Sequence, residues 1–357
     1  MNRKLATMVA PVSTATAVPA PSQRPRYVLL VVFAGAVLAG ALIGLAITAT
    51  VSAGAITSGP LVALGLALSR SVLDGAAVVT VGMSFLPRFL SPDQGARAGG
   101  ALASARLIAL VSSVVWLVAA VVSMVLEVVD INVGEPFTIG AVDHYVRGVG
   151  SGQAHVLVAC GALVYVVIAV LALRRGEDVP AEMRIAIALF TLVPLSTAGH
   201  AAVGVQSLRT LALFSIEAHV LSAVSWTGGL LAVMLLLGLD RDLLASALPR
   251  FSKLATVCVF LTGCTGLFNG WYELYSTPGI HWYVAVFTTR YGWVLIAKAC
   301  CVVAAGLLGG YTRFRLLPKI IERRPTAVAT WTTVEIGILA VAFGLAAILI
   351  RAPVVSG

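Results

Sequence analysis

Charged residues are scarce in this sequence. Only 11% of its 357 residues are Asp, Glu, Lys or Arg, whereas 59% are apolar, and a soluble domain has about 25% charged residues. So few charges cannot cover the surface of a water-soluble protein of this length. The composition therefore excludes a soluble enzyme, a disulfide-stapled secreted domain and a disordered chain, and it indicates an integral membrane protein.

Familiar catalytic and cofactor-binding motifs are missing as well. The sequence contains no phosphate-binding loop, dinucleotide fingerprint, H-E-x-x-H motif or nucleophile elbow. Its five cysteines all lie within apolar runs and never in C-x-x-C spacing. That placement is typical of small residues that pack between membrane helices.

Long apolar runs are abundant. Nine are long enough to cross about 30 Å of hydrocarbon, near residues 27–52, 60–86, 104–129, 153–173, 184–205, 210–237, 251–275, 291–314 and 327–350. Residues 1–26, rich in Ala, Pro, Ser and Thr, predict a disordered cytoplasmic tail. We therefore expect an all-α, polytopic membrane helix bundle of about nine transmembrane helices, with N-terminal spans in residues 27–185 and a second membrane domain in residues 186–357.

Basic residues predict the orientation of the bundle. With the N-terminus in the cytoplasm, the inner segments hold 18 Lys and Arg residues and the outer segments hold 4. This bias is a strong positive-inside signal, so we predict the N-terminus inside and the C-terminus outside. The same asymmetry explains the net charge of +9 without a nucleic-acid partner.

Histidines and acids collect on the predicted outer side. His200 and His219 lie on adjacent antiparallel spans, about 9 and 14 Å below the outer surface at 1.5 Å per residue. Imidazole, carboxylate and sulfur are ligands for copper or zinc, although a membrane histidine can instead hydrogen-bond a neighbouring helix. The predicted metal ligands are His200 and His219, with further candidates in His155, Met124, Glu217 and Glu273. His144 and His281 are expected in outer loops.

Four charges lie deeper within the spans. Arg70 and Asp74 are four residues apart on one predicted helix and can form an ion pair. Lys298 and Glu335 lie on later spans, at depths that differ by several ångströms. We predict a charge-balanced buried network that fixes helix packing or takes part in proton or ion movement.

Several motifs in order resemble a known family. They are Gly199-His200-Ala201, His219 followed by Trp226-Thr-Gly-Gly-Leu230, Arg250-Phe-Ser-Lys-Leu-Ala255, Tyr291-Gly292 with Lys298, Arg313 near Pro318, and Glu335. Together they resemble the copper resistance D (CopD) domain of bacterial inner-membrane proteins, most clearly over residues 190–350. The resemblance implies a multi-pass protein of the bacterial plasma membrane that takes up copper or receives it from an extracytoplasmic carrier. Relatives are often fused to a cytochrome c oxidase assembly half, so we expect a stand-alone version or part of such a fusion.

The sequence thus predicts a copper transport or copper homeostasis protein that takes copper at its outer face through intramembrane histidines. Because ligands exchange and no bonds are made or broken, we do not expect an enzyme. Expected partners are the lipid bilayer and either an extracytoplasmic copper carrier or respiratory oxidase assembly factors. Two alternatives stay open: an electron-transfer protein with haem b between His200 and His219, and an assembly or scaffold protein for a respiratory oxidase.

Overall fold

The computed structural model describes residues 24–48, 59–197, 208–277, 279–322 and 327–350, and within these ranges the chain is almost entirely helical with no strand. The helices are α1 (Arg24–Thr48), α2 (Gly59–Phe89), α3 (Gly95–Ile131), α4 (Ile139–Gly148), α5 (Gly150–Arg175), α6 (Ala181–Thr197), α7 (Arg209–Leu237), α8 (Arg241–Tyr275), α9 (Trp282–Thr288), α10 (Arg290–Tyr311), α11 (Leu317–Ile321) and α12 (Val328–Leu349). A π-helical turn, Thr312–Leu316, joins α10 to α11.

Eight helical segments among the described residues are long and apolar enough to cross a membrane: α1, α2, α3, α5, α7, α8, α12, and α10 together with its continuation through α11. The predicted polytopic all-α bundle is thereby confirmed. The predicted span at residues 184–205 contains α6, which is described as far as Thr197. The rest of that run, including His200, lies outside the described residues, as do residues 1–23 of the predicted tail.

Several helices extend beyond the apolar runs that predict them. α1 begins at Arg24, inside the predicted tail, and α3 and α8 begin about ten residues before their predicted spans. An apolar run indicates only the part of a helix that lies in the hydrocarbon layer. The helix itself can extend further, to the residue where it is capped. At the start of α8 the Asp240 carboxylate accepts hydrogen bonds from the backbone N–H groups of Asp242 and Leu243. Arg97 forms ion pairs with both aspartates and so joins the extension of α8 to that of α3.

Helix α7 is the most buried of the spans. It crosses α2 where Gly82 and Gly228 meet backbone to backbone, and a Cβ atom on either glycine would overlap the other helix. Close approach of this kind is typical of membrane helices that pack through small residues. The crossing holds α7, which carries His219, against α2, which carries Arg70 and Asp74. We call the end of the bundle where α7 begins the outer end, following the predicted topology.

Two short helices lie at the outer end. α4 contains His144, so the prediction that this residue lies in a loop is wrong. Thr138 caps α4 by accepting a hydrogen bond from the Ala141 N–H, and ten residues are too few to register as an apolar span. His281 directly precedes α9, outside any helix, as predicted.

Candidate metal site

His219 is buried in the outer half of the bundle, between α7 and α8. Its Nδ1 atom lies 3.1 Å from the backbone oxygen of Thr262 and 3.2 Å from the hydroxyl oxygen of Thr265. A carbonyl oxygen can only accept a hydrogen bond, so Nδ1 carries the proton and Nε2 keeps its lone pair. No described residue hydrogen-bonds Nε2. Metal-binding histidines are usually held in this way, with one ring N–H donated to a carbonyl and the other nitrogen facing the metal.

The imidazole ring of His219 has little room to move. The α8 residue Gly266 faces the ring so closely that a methyl carbon there would lie 3.0 Å from Cε1 and 3.4 Å from Nδ1. One turn further along α7, the Ser222 and Thr262 hydroxyls lie 2.9 Å apart and join the same two helices. The packing therefore fixes the orientation of the ring as well as its tautomer.

The four deeper charges form two separate groups. Arg70 and Asp74 make the predicted ion pair, with Nε and Oδ2 3.2 Å apart. The charge of Lys298 acts on both Asp74 and His219. Glu335 interacts instead with the Trp226 indole, and no ion pair joins it to any described residue.

His155 belongs to a different polar cluster, at the outer ends of α3, α4 and α5. Its Nδ1 atom lies 2.8 Å from the backbone oxygen of Ser151 and 3.4 Å from the hydroxyl of Tyr145. The same hydroxyl donates a hydrogen bond of 2.7 Å to Glu127. None of these partners also hydrogen-bonds His219, whose partners among the described residues are Thr262 and Thr265.

Tyr145 was not predicted as part of any site, because hydropathy does not detect α4. The available signal was local: Ile139, Val142, Tyr145 and Val146 recur at helical spacing, which predicts one apolar face on a short helix.

The remaining predicted ligands make no hydrogen bond to His219 within the described residues. Met124 lies half-buried on α3. Glu217 is two residues before His219 on α7, about 200° around the helix axis. Glu273 lies at the outer end of α8, where its charge acts on Tyr291. Across the described ranges, no three His, Cys, Asp or Glu side chains are close enough together to hold a metal ion.

His200 lies outside the described residues, so its approach to His219 stays a prediction. At this position the described part of the chain supplies one oriented imidazole nitrogen, that of His219, and a complete site needs further ligands.

Comparison with protein families gives two matches along the chain. Residues 61–209 match the family described as "Copper resistance protein D-like, N-terminal domain". Residues 245–349 match the family described as "Copper resistance protein D". The comparison with curated proteins and the comparison with solved structures each gave no match.

Proposed function

Because the chain belongs to the copper resistance D family and is a multi-pass membrane protein, we propose that it transports copper. In this proposal, His219 binds the copper ion at the outer end of the bundle. His200, from the predicted span that precedes α7, is the proposed second ligand. The polar cluster around His155 is a separate place where an arriving ion can first bind, with Glu127 as the adjacent carboxylate.

The observation that carries this proposal is the fixed tautomer and orientation of the His219 ring. A histidine that only links two helices can form its hydrogen bond through either ring nitrogen, and a loosely packed ring can rotate. Here Nδ1 is tied to the backbone of α8, and Gly266 closes on the ring. The Nε2 lone pair is thus presented in the buried outer half with no partner among the described residues, ready to bind a metal ion.

Charged residues beside His219 make its metal binding reversible. The Lys298 ammonium opposes a second cation at the imidazole, and Asp74 offsets part of that repulsion. Copper bound there is held less tightly than at a site lined by carboxylates, which suits a cargo that must leave. The chemistry proposed is the exchange of coordination bonds to copper, with no covalent bond of the protein broken, so the protein is proposed not to be an enzyme.

The proposed location is the plasma membrane of a bacterium, with the outer end facing an extracytoplasmic copper carrier. Lipid contacts much of the bundle surface, where many large apolar side chains are exposed. The basic inner end then faces the cytoplasm, as positive-inside orientation requires.

Copper binding by the purified protein in detergent tests the proposal. Competition with a chelator should show that His219→Ala loses one copper equivalent and that His219→Ala/His200→Ala loses no more than one. His281→Ala is the matched control, because His281 is an exposed histidine at the same end of the bundle. Wild-type stoichiometry and affinity in the double variant would eliminate the site.

The two alternatives give different results in simple experiments. A haem b protein shows a Soret band that sharpens on reduction, whereas the proposed copper transporter is colourless when purified. An oxidase assembly protein, when deleted, lowers oxidase activity and leaves copper accumulation unchanged. Deletion of a transporter changes copper accumulation directly.

A further inference from the structure

Glu335 is an acidic side chain enclosed by the bundle. It lies on α12, seven residues or about 10 Å from the inner end of that helix, and only 2% of its surface is exposed. A charged side chain at such a depth is costly unless a partner or a function accounts for it. Glu335 therefore calls for an explanation separate from the copper site.

The surroundings of Glu335 contain no counter-ion. No ion pair joins it to any residue in the described ranges, and α1, which packs along α12, has no charge from residue 28 to Thr48. On α2 and α10, Arg70 forms an ion pair with Asp74 and the charge of Lys298 acts on Asp74. In the π-helical turn, Arg313 donates to the backbone oxygen and hydroxyl of a serine on α8.

Neutral groups contact the carboxyl group instead. The indole N–H of Trp226, on α7, interacts with it. Gly309, on α10, leaves space for it, since a Cβ atom there would lie 3.0 Å from Oε1. A carboxyl group that contacts one N–H donor and packs against a glycine is suited to bind a proton. It is poorly suited to bind a metal, because among the described residues it belongs to no group of three His, Cys, Asp or Glu side chains that could hold one.

Two buried hydroxyl groups lie close in sequence to these contacts. Thr227 follows Trp226 on α7, and Thr312 follows Gly309 by three residues, at the start of the π-helical turn. Both hydroxyl oxygens are buried and have no hydrogen-bond partner among the described residues. Such orphaned groups are usually satisfied by bound water, and hydroxyls with water are what a proton needs to reach or leave a buried acid. π-Helical turns also occur often at functional sites.

The two contacts of the carboxyl group lie on the same helix faces as His219 and Lys298. On α7, Trp226 follows His219 by seven residues, so both share one helix face and are about 10 Å apart along the axis. On α10, Gly309 follows Lys298 by eleven residues, again on one face. The imidazole therefore lies at the outer level, and the Trp226 indole that interacts with the carboxyl group lies at the inner level, of one face of α7, which we call the seam.

We propose that Glu335 is a proton-binding site within the membrane-spanning bundle and that it releases its proton to water as copper moves along the seam. Loss of the proton leaves a carboxylate, and the incoming copper ion supplies the compensating positive charge. Proton binding by Glu335 stands on the contacts above, and the exchange with copper rests on the proposed function.

Infrared spectroscopy of the purified protein tests proton binding without copper. We expect a C=O stretching band of a protonated carboxylic acid at neutral pH that disappears in Glu335→Gln and is shifted, not lost, in Glu335→Asp. Glu322→Gln is the matched control, because it makes the same change at an exposed acid near the inner end of α12. Absence from the wild-type spectrum of any such band that depends on residue 335 would overturn the proposal.

Flux in proteoliposomes tests the exchange. A pH-sensitive dye should report the rate of proton movement across the membrane when copper is added outside. Glu335→Gln should reduce this rate at least tenfold while retaining copper binding in detergent. Equal rates in the variant and the wild type would overturn the exchange. A wild-type protein that binds no copper would refute the proposed function instead, and the infrared band would still decide the role of Glu335.

Discussion

Replacement of Gly266 by alanine is expected to weaken copper binding at His219 about tenfold. The added methyl group would lie 3.0 Å from Cε1 and 3.4 Å from Nδ1 of the imidazole, so the ring must move by a few tenths of an ångström. That movement strains the 3.1 Å contact between Nδ1 and the Thr262 carbonyl oxygen. Loss of such an orienting contact typically costs 10- to 100-fold in metal affinity. Because the contact is strained and not removed, the lower value applies, about 1.4 kcal/mol.

Gly263 provides a matched control on the same helix. It lies three residues before Gly266, and no atom lies within 4 Å of the place where its Cβ would be. Both substitutions gain the same helix propensity, about 1 kcal/mol, so their difference isolates the contact with His219. Gly263→Ala should bind copper like the wild type and unfold at an equal or slightly higher temperature.

The assay is competition for copper between the protein and a chelator of known affinity, in detergent, on all three proteins. A tenfold weaker affinity in Gly266→Ala alone supports the assignment of His219. Equal affinities in the two alanine variants would refute the reasoning, because they would show that copper binding does not depend on how this ring is held.

Three further predictions concern stability, measured by thermal or denaturant unfolding in detergent. Asp74→Asn should lower the free energy of unfolding by up to about 3 kcal/mol, because the partly buried Arg70 then loses its partner. Adding Arg70→Leu should recover part of the loss, and no recovery would contradict the pairing. Gly82→Ala should lower the free energy of unfolding by about 1–3 kcal/mol, because the added methyl group overlaps the α7 backbone at the crossing of α2 and α7. Gly337→Ala should leave the stability unchanged, because its methyl group would meet no atom within 4 Å. Tyr145→Phe should lower the free energy of unfolding by about 1 kcal/mol, because it removes the hydrogen bond to Glu127 at the outer end of α3. An unchanged unfolding temperature would show that this hydrogen bond does not contribute to stability.

Much of the fold follows from the sequence, because hydrocarbon thickness and internal hydrogen bonding leave few choices for a spanning segment. Apolar runs predict the spans, and i,i+4 spacing predicts the Arg70–Asp74 pair seen at 3.2 Å. Depth counting predicts His219 in the outer half, and the structure has it ten residues from the start of α7. Each of these features depends on distance along one helix, which the sequence contains directly.

Features that depend on helix rotation could not be predicted. The acceptor for His219 Nδ1 is a backbone oxygen, and every residue has one, so no residue type signals it. Lys298 and Glu335 have opposite charges on neighbouring helices, yet Lys298 acts on Asp74 and Glu335 on Trp226. Depth alone could not separate these outcomes, since both require knowledge of which helix faces meet.

The separation of the buried charges into two groups has an electrostatic consequence. The outer group holds two basic side chains, Arg70 and Lys298, and one acid, Asp74, a formal excess of one positive charge that acts on His219 through Lys298. Glu335 is the one acid of the inner group and has no counter-ion among the described residues. With Glu335 protonated, the seam already has a positive excess, and a copper ion adds to it. Loss of the Glu335 proton removes the excess, so the two events favour each other.

Copper affinity should therefore rise with pH, by about tenfold per pH unit if one proton leaves for each copper ion bound, since linkage is reciprocal. The measurement belongs between about pH 7 and pH 9, above the titration range of an ordinary histidine, so that competition at the imidazole itself is excluded. Glu335→Gln cannot release this proton, so its copper affinity should rise less steeply over this range than that of the wild type, whereas Glu322→Gln should keep the wild-type slope. A flat wild-type profile, or the full wild-type slope in Glu335→Gln, would show that copper and this carboxyl group are not coupled.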